Sequence, residues 1–156
     1  MTTLPRSGGL LSSAATVAEA EAAPVEVFRA DYEPPPYAVA NVRMNFIIRD
    51  GETTVHAEMK IVPNDAAAES TARGDMTLNG DASAITLRSI RLDGVDLVCG
   101  TDYRMVGDAL LVPSSVLNDG GVLSTIVDIV PETNTQLSGL YKSGGKMYCT
   151  QCEAMG

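Results

Sequence analysis

The feature that most constrains the fold is an alternation of apolar and polar residues that turns back on itself. It runs from Asn41 to Arg49, with Ile47 as an exception, and resumes from Thr54 to Ile61 after Asp50-Gly51, a pair typical of hairpin turns. A period of two is the period of a β-strand. The pattern therefore predicts an antiparallel hairpin with one face towards a core and one towards water. The predicted apolar face carries Val42, Met44, Phe46, Ile48, Val55, Ala57, Met59 and Ile61.

Further short strands are predicted between turn signals along the rest of the chain. The turns are Asn79-Gly80-Asp81, Asp93-Gly94 and Gly107-Asp108. The alternation changes phase at Arg88-Ser89, which indicates a β-bulge there. The segment from Val122 to Val130 is largely apolar on both sides and ends before Pro131, so it is predicted to be a central strand.

These elements predict an all-β domain, an antiparallel sandwich, over residues 31–156. Residues 1–30 are rich in Ala, Ser, Glu and Gly, and are predicted to form a flexible extension. Within the extension, Ser12 to Ala23 could form a weak helix without a clear apolar stripe. The Pro34-Pro35-Pro36 run is a stiff, extended entry to the folded part.

Composition limits the classes of function. The chain has 156 residues and 45% hydrophobic content, which is enough for one domain with a core. A net charge of −9 would repel a phosphate backbone, so we expect no nucleic-acid partner. The chain contains no apolar run of about 18 residues, so we expect no membrane partner. The first residues lack a secretory pattern, which leaves the cytoplasm as the expected location.

The cysteines do not predict a metal site. Cys149 and Cys152 form a C-x-x-C pair, but a structural zinc site needs four ligands, and only Cys99 and His56 remain to supply the others. His56 falls on the polar face of the predicted hairpin, where we expect a solvated side chain. Three thiols also fit a reduced protein better than a disulfide framework.

A cluster of polar residues lies near the end of the sequence, from Cys149 to Glu153. Gln151 and Glu153 are two residues apart, a spacing that aims both side chains to the same side of an extended segment. A carboxylate beside an amide suits a cationic amine, because the carboxylate neutralises the charge and the amide accepts a hydrogen bond. From the spacing alone, a solvated carboxylate near the chain end is the better account of Glu153.

Two segments in this region resemble a known family. The stretch from Asn134 to Gly144 reads N-T-Q-L-S-G-L-Y-K-S-G, and the stretch from Tyr148 to Gly156 reads Y-C-T-Q-C-E-A-M-G. Together they closely resemble the end of the N-terminal domain in the aminopeptidase N family of zinc metallopeptidases, in its bacterial-type branch. The layout from about Tyr37 onward is similar as well.

The resemblance implies a fold and a role. The family's N-terminal domain is a saddle-shaped antiparallel β-sandwich that packs against a thermolysin-like catalytic domain of the same parent chain. By the same resemblance, Glu153 would hold the α-amine of a peptide substrate's N-terminus, and Gln151 would line the pocket for the first side chain.

The family's reacting groups are missing from this sequence. Neither its H-E-x-x-H zinc motif nor its G-A-M-E-N motif occurs in the 156 residues. We therefore expect zinc in the full-length parent but none bound by this chain, and no catalysis by this chain alone. The alternative is a non-enzymatic β-sandwich interaction module, which a parent reading frame continuing into a zinc-binding helix would contradict.

Overall fold

The structure, a computed structural model, describes residue 26 and residues 28–67 and 74–152. The chain divides into two compact units, Met1–Tyr32 and Glu33–Gly156. Within the first unit, the described residues form one 3₁₀ turn at Arg29–Asp31. The helix predicted at Ser12 to Ala23 lies outside the described residues, as does most of the predicted flexible extension.

The described residues of the second unit form antiparallel strands, one turn of α-helix and two 3₁₀ turns, at Asp65–Ala67 and Pro131–Thr133. Its strands are β1 (Tyr37–Arg49), β2 (Glu52–Pro63), β3 (Met76–Asn79), β4 (Ile85–Leu92), β5 (Val95–Asp96), β6 (Arg104–Val106), β7 (Ala109–Val112), β8 (Gly121–Ile129), β9 (Gly139–Ser143) and β10 (Met147–Gln151). The helix α1 spans Ser114–Leu117. No helix in the described ranges is long and apolar enough to cross a membrane.

The strands form three sheets, and the paired strands within each are antiparallel. The largest has the order β1-β2-β8-β4-β5, the second has the order β3-β7-β6, and β9 pairs with β10 alone. The all-β antiparallel prediction is therefore confirmed. The strand predicted to be central is β8, which lies in the middle of the five-stranded sheet.

The local predictions from turn chemistry also hold. Arg49 pairs with Glu52 across the Asp50-Gly51 turn, where Gly51 takes a φ of +81° that glycine accepts without strain. The pairing of β4 with β8 shifts register between Leu87 and Ser89, which confirms the predicted bulge.

The core lies between the five-stranded and three-stranded sheets. Its side chains that are at most 2% exposed are all aliphatic. The cluster consists of Tyr37, Ile61, Met76, Ile90, Leu110, Val112, Leu117 and Leu123. At about 25 cal/mol per Å² of apolar surface removed from water, burial of such side chains is the main stabilising term.

The apolar face of β1 differs from the prediction in its burial. The face itself is right, since Val42 pairs with Met59 and Phe46 pairs with Val55. However, the β1 side chains are 43–52% exposed, while Val55 on β2 is 4% exposed. The physical reason is that β1 is the outer strand of its sheet. The core residues of the three-stranded sheet cluster with residues of β2, β4 and β8 instead.

Gly120 allows the chain to enter β8 beside the end of β2. Its φ is +96°, and a Cβ placed there would lie 2.3 Å from the carbonyl oxygen of Ile61. Such a contact is far inside van der Waals distance, and its partner is backbone. The approach of β2 to β8 therefore depends on a residue without a side chain.

We predict that Gly120→Ala destabilises the fold more than Gly94→Ala does. Gly94 also has a positive φ, of +82°, but a Cβ there would meet nothing within 4 Å. The control should cost about 1–2 kcal/mol from the backbone conformation alone, and Gly120→Ala roughly twice that or more because the backbone must also shift. Urea-induced unfolding measures both, and equal losses would contradict the close approach.

Candidate functional site

The predicted site residue that the structure describes, Gln151, lies at the end of the β9–β10 hairpin. Gln151 is the last residue of β10; its backbone pairs with Gly139, and its side chain is exposed. Cys152 follows and is also exposed. Glu153 lies outside the described residues, so its predicted proximity to Gln151 stays a prediction.

Two paired residues of this hairpin attach it to the large sheet. Lys142 of β9 is the register partner of Tyr148 of β10, so both side chains lie on one face. That face meets the β1–β2 turn at Asp50 and the 3₁₀ turn after β8 at Glu132. We call Asp50, Glu132, Lys142 and Tyr148 the hairpin anchor.

The contacts of the hairpin anchor are short and mutual. The Lys142 Nζ atom lies 2.7 Å from Asp50 Oδ1 and 3.3 Å from Glu132 Oε1. The Tyr148 hydroxyl donates to Glu132 Oε1 over 2.7 Å, and Lys142 Nζ lies 4.9 Å from the centre of the Tyr148 ring. The backbone N–H of Gly51 also donates to Glu132, over 3.3 Å. One carboxylate thus receives donors from three separate segments.

These contacts set the charge states of the hairpin anchor. The pKa of Glu132 falls from 4.5 to about 2, chiefly because the Tyr148 hydroxyl donates to it. The pKa of Asp50 is lowered by its hydrogen bond from Lys142, and the same bond raises the pKa of Lys142. The pKa of Tyr148 is raised because Glu132 holds its proton. Both carboxylates and the ammonium are therefore charged at neutral pH.

Asn134 shapes the loop that leads into the hairpin. Its side-chain amide donates to the carbonyl oxygens of Ser138 and Leu140, over 2.7 and 3.0 Å. Its Oδ1 accepts a hydrogen bond from the N–H of Gln136 over 3.1 Å. The first residue of the N-T-Q-L-S-G-L-Y stretch is thus structural, since one side chain closes the turn through all of its polar groups.

The other face of the β9–β10 hairpin carries neither Lys142 nor Tyr148. Side chains alternate along a strand, so Cys149 and Gln151 point away from the side that Tyr148 occupies. Gly139, opposite Gln151, has no side chain, and a Cβ there would meet nothing within 4 Å. Within the described part of the chain, the exposed Gln151 side chain therefore has open space on its Gly139 side.

A concavity lies on the polar face of the five-stranded sheet. This depression of about 510 Å³ is lined in part by Arg43, His56 and Arg91, and does not include Gln151. Its cations are partly compensated, since Arg43 lies 3.9 Å from Glu58 and Arg91 lies 2.5 Å from Asp96. His56 lies on the polar face, as predicted, opposite Asn45 and Ile126.

The charged residue buried on that same face is Asp128 of β8. Thr54 donates to it over 2.8 Å, and the Arg88 guanidinium forms an ion pair with it. The ion pair and hydrogen bonds lower the pKa of Asp128, with Arg88 as the main cause. These contacts satisfy a buried carboxylate, which makes the group a structural one.

The thiols and the histidine do not gather into a metal centre. Among the described residues, no group of three His, Cys, Asp or Glu side chains is placed to hold a metal ion. Cys149 is half-buried on β10, while Cys99 and Cys152 are exposed. The residues present therefore do not fit a zinc site.

Sequence reasoning missed the hairpin anchor. Lys142 and Tyr148 stood inside the two segments used for the family resemblance, but Asp50 is 92 residues before Lys142. No local pattern pairs residues at that separation. The available signal for the hairpin half of the anchor was the strand register. Two paired strands of five residues each put Lys142 opposite Tyr148.

The chain is similar to curated aminopeptidases over most of its length. It is 37% identical to aminopeptidase N of Caulobacter vibrioides over 133 residues, which is 85% of this chain and 14% of that protein. It is 31% identical to aminopeptidase N of Escherichia coli over 133 residues, with the same two shares. For aminopeptidase N of Haemophilus influenzae the identity is 30% over 130 residues, 83% of this chain and 14% of that protein.

A solved structure shows the same fold. A crystal structure of Legionella pneumophila aminopeptidase A in complex with aspartic acid matches with a TM-score of 0.64 and 22% identity, over 81% of this chain and 14% of that one. A comparison with protein-family models gives no match. The chain thus spans 14% of the length of each of these relatives.

We predict that Tyr148→Phe raises the pKa of Glu132 from about 2 towards its ordinary value of 4.5, because it removes the main donor. The depressed pKa means that Glu132 stabilises the folded state fully above pH 4.5, and that this contribution is lost as the pH falls towards 2. Carboxyl-carbon NMR titration measures the pKa. The control is Tyr141→Phe, which lies on the other face of the hairpin; a shift equal in both variants would contradict the assignment.

Proposed function

Because this chain belongs to the aminopeptidase N family and corresponds to its N-terminal domain, we propose that it forms one wall of the substrate site in a longer aminopeptidase. The wall would bind the free amino end of a peptide and part of its first side chain. Bond cleavage would belong to a catalytic domain elsewhere in the parent chain. The chain matches 14% of the length of its relatives, which leaves most of the parent chain to form a catalytic domain.

The observation that carries the proposal is the anchored hairpin with one free face. The hairpin anchor holds one side of β9–β10 to the large sheet, and Gln151 points to the other side, across from the bare Gly139. A side chain on a strand fixed in this way keeps its position when a ligand arrives. Positioning of this kind is what a specificity pocket requires.

The chemistry of the proposed role belongs to Glu153 and Gln151. If the backbone stays extended beyond β10, Glu153 follows Gln151 on the same face. A carboxylate there would pair with a substrate ammonium, and Gln151 would contact the first side chain. An internal peptide has no ammonium to offer, so the carboxylate would be left unpaired. This difference favours substrates with a free amino end.

The zinc of the parent would be held outside this chain. The described residues gather no set of three ligands, and the sequence holds no H-E-x-x-H motif. When bound in the catalytic domain, zinc would supply activation of water and of the scissile carbonyl. This chain's own contribution is limited to binding and orienting the peptide's amino end.

We predict that the 156-residue chain does not hydrolyse aminoacyl chromogenic substrates, with or without added zinc. The reason is that it would bind only one end of the substrate and carries no reacting group. Release of the chromophore, followed by absorbance, measures the activity. Turnover that survives repurification and stops on addition of a chelator would contradict the proposal.

We predict that Glu153→Ala, made in the full-length parent, lowers kcat/KM for an aminoacyl substrate by about 10- to 150-fold. This range corresponds to the roughly 1.5–3 kcal/mol of a charge-assisted hydrogen bond. The loss should appear mainly as a raised KM, with kcat also lowered if the amine fixes the register of the scissile bond. Glu153→Gln should be milder, since the amide still accepts a hydrogen bond.

The matched control is Asp119→Ala, which removes an exposed carboxylate in the loop between α1 and β8. It changes the net charge by the same amount without touching the hairpin. Zinc content should stay at the parent's level in all three variants. Wild-type kinetics for Glu153→Ala would place the amine-binding group elsewhere.

A further inference from the structure

The concavity on the polar face of the five-stranded sheet, which we call the polar depression, has a floor of short side chains. Antiparallel partners share a face, so the register defines rows of side chains across β1, β2, β8 and β4. Two rows cross the polar depression: Arg43-Glu58-Ser124-Arg91 and Asn45-His56-Ile126-Ser89. Because serine has a short side chain, Ser124 on β8 and Ser89 on β4 lie below the longer side chains beside them.

Opposite charges flank this floor. Glu58 precedes Ser124 in the first row and Arg91 follows it, so a carboxylate and a guanidinium lie on either side of β8. Their backbone positions are two strand spacings apart, or roughly 10 Å. Arg43 adds a second guanidinium on β1. The described residues that line the polar depression thus carry two positive charges and one negative charge with His56 neutral, in a chain whose net charge is −9.

The polar groups of the depression have hydrogen-bonding capacity to spare. Arg43 Nη1 lies 3.9 Å from Glu58 Oε2, which is longer than a hydrogen bond. Arg91 uses Nε for Asp96, whereas a guanidinium has five N–H donors in all. Three half-buried side chains make no hydrogen bond to the described residues: His56, Ser89 and Ser124. Donors and acceptors are therefore available to a small polar ligand.

We propose that the polar depression binds an acidic amino acid, a molecule with one ammonium and two carboxylate groups. The ammonium pairs with Glu58. One carboxylate pairs with Arg91 and accepts hydrogen bonds from the serine hydroxyls of the floor. The other carboxylate pairs with Arg43, beside His56. Each charge of the ligand thus meets a charge of opposite sign on the protein.

The same charge pattern disfavours simpler ligands. A ligand with a single charge leaves two of the three charged side chains without a new partner. A phosphate would satisfy the guanidinium groups, but it would lie beside the like charge of Glu58, which is repulsive. A volume of about 510 Å³ also exceeds what one inorganic ion fills. Charge and size together favour a ligand with separated charges of both signs.

The inference goes beyond the proposed function and uses none of its residues. The polar depression does not include Gln151. The kinetics of Glu153→Ala therefore test the proposed function separately, whatever the polar depression binds.

The test uses the single histidine of the chain, His56, as a built-in probe. Its imidazole C–H signals in an NMR spectrum report on the polar depression without further assignment. We expect L-glutamate, added at constant pH and at an ionic strength held constant with chloride, to shift them saturably with a Kd of about 1 mM or lower. In the full-length parent, the same signals are identified by their loss from His56→Gln, so the measurement does not depend on this chain folding alone.

Two analogues and one substitution separate the charges of the ligand. Glutarate lacks the ammonium and 4-aminobutyrate lacks one carboxylate, so each should bind about three- to tenfold more weakly than L-glutamate. Glu58→Gln should weaken L-glutamate by about the same factor without weakening glutarate, because it removes only the partner of the ammonium. Arg91→Gln should weaken both ligands.

The matched control is Arg104→Gln, on the three-stranded sheet. Arg104 also has an aspartate partner, Asp75, at 3.4 Å, and its side chain is about as exposed as that of Arg91. The substitution removes the same charge at a distance from the polar depression, so L-glutamate binding should stay at the wild-type level.

Four results would overturn the inference. The first is the lack of a saturable shift of the His56 signals up to about 10 mM L-glutamate. The second is equal affinity for glutarate and L-glutamate, which would mean that the ammonium is not recognised. The third is phosphate binding as tight as that of L-glutamate, which would indicate a simple anion site. The last is an equal loss in Arg91→Gln and Arg104→Gln, which would indicate general attraction by charge.

Discussion

The register of β2 against β8 is the constraint on which the other features depend. Because side chains alternate with a period of two, a slip of one residue would exchange the apolar and polar faces of the sheet. The observed register pairs Ile61 with Gly121 and Thr53 with Ile129. At one end it places Ile61 in the core; at the other it brings the Asp50-Gly51 turn beside Glu132, just after β8.

The contact between the Asp50-Gly51 turn and Glu132 holds the hairpin that carries the candidate site. Two carboxylates from segments far apart in sequence converge there, and the β9–β10 hairpin binds them through Lys142 and Tyr148. The attached face fixes the hairpin, and the free face presents Gln151. The hairpin anchor carries no proposed chemistry, but it fixes the backbone from which the proposed amine-binding group extends.

The same sheet also has surfaces of three different kinds. Its centre is covered by the second sheet, while its outermost strand keeps an apolar strip at the surface. A polar face with compensated charges lies on the other side. One face of the sheet is thus covered, the other is solvated, and the outer strand β1 exposes apolar side chains. Exposed apolar patches of this kind are typical of surfaces that contact further protein.

The sequence by itself determined the strands, the turns, the bulge at Arg88-Ser89 and the central place of β8, because alternation and turn chemistry are local properties. It also proposed Gln151 and Glu153 as site residues through a resemblance to a family, and their role stays a prediction. Only the tertiary structure decided that β3 pairs with β7, that the apolar side chains of β1 are exposed, and that Asp50 meets Lys142. Each of these is a contact, or the lack of a cover, between segments far apart in sequence. A period of two says which side chains share a face, but it does not say what lies against that face.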